Sequence, residues 1–206
     1  MVLPEYEKIA NSVRNVGPGA TPNLTLIDES AATGEVAALY EHFRTHFGRP
    51  VVPGILKCFS THPPLLRHMM DLSEHLIFSE GALGRKHKEM IAAFVSTQNS
   101  CPYCADSHGF FLRIHGGSLE TLAAIQSNDP CSPGLTAAEQ ALLRFASKVN
   151  LNSHEVSRED VAMLVQSGWT ELQVAEAIHV TSLFATFNRV ANAFGLQSQG
   201  LLTLCD

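Results

Sequence analysis

The chain has 206 residues, 45% of them hydrophobic and 17% charged. That suits one large or two small globular domains and excludes a disordered, collagen-like or disulfide-stapled chain. Fourteen Lys and Arg against twenty Asp and Glu give a net charge of −6 with histidines neutral, so no basic stripe is on offer for nucleic acid.

Met1-Val2-Leu3-Pro4-Glu5 lacks the basic and apolar regions of a secretory signal, and no apolar run approaches the roughly 20 residues of a membrane span. The expectation is a soluble, cytoplasmic protein with no membrane or nucleic-acid partner. Residues 1–29 carry Pro4, Gly17, Pro18, Gly19 and Pro22 among apolar residues, which predicts an extended arm over the domain or a neighbouring subunit. From residue 30 to 206 the pattern predicts a single all-α domain of about eight helices. Val36, Leu39, Tyr40, Phe43 and Phe47 recur at helical steps over 31–47. A Pro/Gly break at 50–54 leads to a short helix through Leu56 and Phe59, and His62-Pro63-Pro64 opens another that carries Leu65 to Ile77. Helices follow at 85–98, from Cys101 to His115 with Gly116-Gly117 at its end, and at 118–127. Thr136…Glu139, Ser157…Asp160 and Thr170…Gln173 each open a helix with a capping pattern, the last running to about Phe194 before Gly195.

Five cysteines form no disulfide framework in a chain without an export signal. Cys58, Cys131 and Cys205 are scattered and read as core or incidental surface thiols. Cys101-Pro102-Tyr103-Cys104 is different. Proline suits a first helical turn, so Cys101 falls where backbone N–H groups and the helix dipole favour a thiolate. Cys104 lies one turn on, within disulfide range, and His108 follows at i+4 on the same face. Two thiols and an imidazole on one stripe suit reversible thiol chemistry. Glu89 on the preceding helix is polar among core residues. If the two helices pack antiparallel, it points back and orients His108.

A zinc site needs a second ligand pair, which Cys131 alone does not supply, and three ligands from Cys101, Cys104 and His108 would be crowded. His115 reads as a helix end, Asp106 and Ser107 as helix surface or support, and Asn188 and Arg189 as a polar patch or a subunit contact. The remaining histidines show no ligand spacing. Phe94, Phe110, Phe111 and Leu112 suggest an apolar approach to the thiols.

The run Lys86-His-Lys-Glu89-Met-Ile-Ala-Ala-Phe-Val-Ser-Thr-Gln-Asn-Ser-Cys101-Pro-Tyr-Cys104-Ala-Asp-Ser-His108 resembles the signature of the alkylhydroperoxidase D family, within the carboxymuconolactone-decarboxylase-like superfamily. Phe187-Asn188-Arg189-Val-Ala-Asn192-Ala-Phe-Gly195 is similar to the final helix of its peroxidase-related branch. The resemblance implies an all-α fold with a redox helix pair at 85–116, and homo-oligomers. It also implies Cys104 as peroxidatic thiol, Cys101 as resolving thiol, and His108 with Glu89 as proton relay. Some family members have a histidine between the cysteines where this chain has Tyr103. The expected activity is thiol-dependent hydroperoxide reduction, reset by an external thiol, dithiol or lipoyl-type reductant, with no haem, flavin or metal cofactor. The alternatives are a disulfide reductase or redox adaptor, and a non-enzymatic metal-binding helical module.

Overall fold

Helix-forming patterns separated by Pro, Gly and Ser/Thr caps leave the chain little choice but stacked helices. The computed structural model describes residues 21–205 and, among them, contains nine α-helices and no strand. These are α1 (Gly34–Phe47), α2 (Gly54–Lys57), α3 (Pro63–Ser73), α4 (Arg85–Gln98), α5 (Pro102–Ile114), α6 (Leu119–Gln126), α7 (Ala137–Asn152), α8 (Arg158–Gln166) and α9 (Glu171–Phe194).

The capping patterns act as read. Thr136, Ser157 and Thr170 each form a reciprocal capping box at α7, α8 and α9, satisfying N–H groups that the first turn leaves open. Two features were not legible locally. The helix expected to run from Pro63 through Ile77 ends as α-helix at Ser73 and continues as a π-helical turn over Glu74–Phe78. After Gly195 the chain returns as a strap to a 3-10 turn at Leu201–Cys205, against α5.

Helix α4 is the centre of the molecule. Met90, Ile91, Ala92, Phe94 and Val95 are fully buried, and α5, α7 and α9 all pack around it. α4 and α5 form an antiparallel hairpin closed by Asn99, Ser100 and Cys101. Ser100 adopts a left-handed conformation (φ 50°) that usually favours glycine, and this turns the chain so that Cys101 N–H reaches Ser96 O at 2.9 Å.

Most of the predicted N-terminal arm lies outside the described residues. Its last part, from residue 21, runs along this chain itself: Asn23 N–H and its side-chain amide donate to Phe194 O (2.8 Å) and Ala193 O (3.1 Å), and Ile27 O accepts from the Tyr40 hydroxyl (2.9 Å).

Candidate active site

The α4–α5 hairpin brings Glu89, Cys101, Cys104 and His108 together. Cys101 is the N-cap of α5, with Pro102 in the first turn, and Cys104 follows one turn later. Both cysteines are buried and free, 1% and 3% exposed. The Cys104 thiol beside it favours charge on Cys101, burial opposes it, and the N–H groups of Cys104 and Tyr103 add support; the Cys101 thiol is held below the usual cysteine range. The Cys101 sulfur beside it and burial together push Cys104 well above that range. Of the two thiols, Cys101 is therefore the first to ionise.

Glu89 has none of its surface exposed. Burial works against its charge, but His108 and Arg85 overcome this and hold the carboxyl below its usual range. As a carboxylate it can only accept, so His108 Nδ1, 2.6 Å from Glu89 Oε2, is the donor, leaving Nε2 to serve the solvent side. Arg85 Nε donates to the other oxygen at 2.6 Å. Arg85 turns inward, and its guanidinium lies 4.7 Å over the Phe78 ring. Arg85 is the member of this chain of groups that the sequence reading missed. The His108 ring is also fixed edge-on against Phe184, with centroids 4.4 Å apart.

A cavity of about 110 Å³ opens onto this constellation. Its walls come from α1 (Phe43, Phe47), the following loop (Arg49, Val51, Pro53), α3 and the π turn (Met70, Ile77, Phe78), α5 and α9 (Phe184, Phe187), and the strap (Gln199, Leu201). Of the two cysteines, Cys104 lines it, beside Tyr103, Ser107 and His108. The apolar approach expected from Phe94, Phe110, Phe111 and Leu112 needs correcting. Phe111 alone of these lines the cavity; Phe110 and Leu112 on α5 and Phe94 on α4 are core residues.

Asp106 and Ser107 are also buried rather than on the helix surface. Ser107 Oγ donates to Tyr103 O at 2.9 Å. The Asp106 carboxyl accepts from the N–H groups of Gln199 (2.9 Å), Leu201 (3.0 Å) and Leu202 (3.0 Å), fastening the strap to α5. Gly109 keeps the crossing open: a Cβ there would lie 3.2 Å from Leu202 and 3.3 Å from Leu122.

The Tyr103 hydroxyl accepts from Ile55 N–H at 3.4 Å, and burial pushes its ionisation up, so it is a neutral group here. Among the described residues no three His, Cys, Asp or Glu side chains gather in a metal-binding group.

Residues 63–148, from the start of α3 into α7, match the carboxymuconolactone decarboxylase family model. The α4–α5 hairpin lies inside that match, on an alkylhydroperoxidase D-like fold. The fold is similar to that of a peroxidase-related protein of Ralstonia eutropha JMP134 with an alkylhydroperoxidase D core (TM-score 0.77, 24% identity, covering 88% of this chain and 94% of that one). A peroxidase-related protein of Silicibacter sp. TM1040 is 27% identical, with a TM-score of 0.74 over 87% of this chain and 93% of the other. The debrominase Bmp8 shares the fold at 17% identity (TM-score 0.67, 91% and 96% covered). Among curated proteins, YdfG of Bacillus subtilis is 21% identical over 133 residues, 65% of this chain and 88% of YdfG.

Proposed function

We propose that the protein is a thiol-dependent hydroperoxide reductase. The observation that carries this reading is that Cys104 and His108 face the same apolar cavity, with the ring of His108 held from behind by Glu89, which Arg85 holds in turn. The proton of Cys104 passes to the Cys101 thiolate or to His108 Nε2, and the Cys104 sulfur attacks the terminal oxygen of ROOH. The O–O bond breaks, ROH leaves with a proton from the relay, and Cys104 becomes a sulfenic acid. The Cys101 sulfur then displaces water, forming a Cys101–Cys104 disulfide. An external dithiol restores both thiols by exchange and is itself oxidised to a disulfide. Charge settles first on Cys101 while the cavity is open to Cys104, so the attacking sulfur is decided by access.

The test is mass spectrometry of the reduced protein after cumene hydroperoxide or hydrogen peroxide, for wild type, Cys101→Ser and Cys104→Ser. The expected result is a Cys101–Cys104 disulfide in wild type and a trapped sulfenic acid on Cys104 in Cys101→Ser. Sulfenic acid on Cys101 in Cys104→Ser alone would reverse the two roles. Thiols that stay reduced under peroxide, yet exchange with lipoyl disulfide, would replace this reading with that of a disulfide reductase.

A further inference from the structure

Asn188 lies on α9 and has none of its surface exposed, on a buried helix side that also carries Val180, Thr181, Phe184, Phe187 and Ala191. A buried carboxamide is costly unless its polar atoms are used. Its Nδ2 donates to Ser96 Oγ at 2.9 Å and its Oδ1 accepts from Asn99 Nδ2 at 3.0 Å. Both partners sit at the end of α4, just before the left-handed Ser100 and Cys101. The same turn is gripped twice more: Asn150 and Asn99 exchange hydrogen bonds at 3.1 Å, and Asn192 Nδ2 donates to Asn99 O at 3.1 Å. An amide nitrogen carries two hydrogens, and Ser96 uses one. After the mutual influence of the two sulfurs and burial, the Asn188 amide favours the charged form of each thiol.

We infer that Asn188 is a positioning residue for the cysteine pair: held by Ser96 and Asn99, its carboxamide fixes the turn that carries Cys101 and donates its second N–H to the sulfurs. The inference rests on the reading of Cys101 and Cys104 as a redox pair, but not on peroxide being the oxidant. In the reduced protein the N–H has a charged sulfur to serve. Once the ionised pair has given two electrons and its remaining proton to its oxidant and formed the disulfide, that acceptor is neutral and weaker. Asn188 therefore favours the reduced, ionised pair.

The measurement is the ultraviolet thiolate absorbance of the reduced protein against pH, with a Cys101→Ser/Cys104→Ser double variant subtracted. Asn188→Leu keeps the volume and removes the donor, and its thiolate midpoint is expected about one pH unit above that of wild type. A folded Asn188→Leu protein with an unchanged midpoint overturns the inference. If the variant does not fold, the wild type supplies the answer through the side-chain amide resonance of Asn188 by nitrogen-15 NMR. That resonance is expected to follow the thiol titration, and indifference to it overturns the inference equally. Peroxide consumption is measured separately: no turnover with a shifted midpoint removes the peroxidase and leaves Asn188, whereas turnover with an unchanged midpoint does the reverse.

Discussion

Asp106 and Leu201 are 95 residues apart in sequence, yet the carboxyl of one accepts the backbone N–H of the other at 3.0 Å, two residues from Cys104. With the neighbouring bonds from Gln199 and Leu202, this single side chain holds the strap whose Gln199 and Leu201 wall the cavity. Asp106→Ala leaves three backbone donors without their acceptor. The expected cost is about 3 kcal/mol in chemical denaturation. Alkylation of Cys104 in the native protein should become faster as the strap loosens. An unchanged alkylation rate would show that the strap does not limit access.

Glu89→Gln removes the charge that orients His108 and leaves Arg85 facing a neutral amide. Peroxide-driven disulfide formation is expected to slow by about 10²-fold, the lower range for a lost proton-transfer group. A stability effect accompanies it. The Glu89 carboxyl is held below its usual range in the folded protein, so its contribution is complete above the ordinary glutamate value and is lost as pH falls through the folded one. Acid unfolding of wild type should therefore steepen below the ordinary glutamate range, and the Gln variant should show less of that slope. Equal slopes by circular dichroism would count against it.

Tyr103 stays neutral because burial raises its ionisation. Tyr103→Phe should therefore leave the pH profile of disulfide formation unchanged in shape and cost about 1 kcal/mol for the bond with Ile55 N–H. Tyr103→His should introduce a new limb near neutrality, where imidazole ordinarily titrates. Stopped-flow oxidation across pH distinguishes the two.

Phe184 is 1% exposed and carries the face against which His108 is fixed. Phe184→Ala is expected to cost about 3–5 kcal/mol in denaturant unfolding. A cost below 1 kcal/mol would mean that the neighbouring side chains close the gap.

Burial pushes the Cys58 thiol up to about 12, whereas Cys131 is exposed. Brief native alkylation near pH 8 should label Cys131 and leave Cys58 untouched. Peptide mapping reads both.

Local chemistry explains which of these features could be read in advance. Caps and helical periodicity act within one or two turns, so Thr136, Ser157, Thr170 and the limits of α4 were visible in sequence. Glu89 and His108 were also visible, because a short turn must return α5 along α4. Asn188, Asp106 and the inward turn of Arg85 were not. Their partners lie across the fold, at separations such as 92 residues for Asn188 and Ser96, or depend on where the π turn puts Phe78. The walls of the cavity were misassigned for the same reason: an aromatic at helical spacing shows that a face is buried, not what it faces.

The cavity draws on two parts of the sequence. Cys101, Cys104, His108 and Glu89 all fall within residues 63–148, the stretch that matches the family. Phe43, Phe47, Phe184, Phe187, Gln199 and Leu201 all fall outside it and reach the thiols only through folding. The thiol hairpin and these parts of the cavity wall can thus vary independently. A related chain can keep the same hairpin and admit a different molecule by changing residues more than forty positions before or seventy after the cysteines. The thiols and the walls given by Met70, Ile77, Phe78 and Phe111 thus lie inside the matched stretch, while the rest of the cavity is shaped by the two flanks.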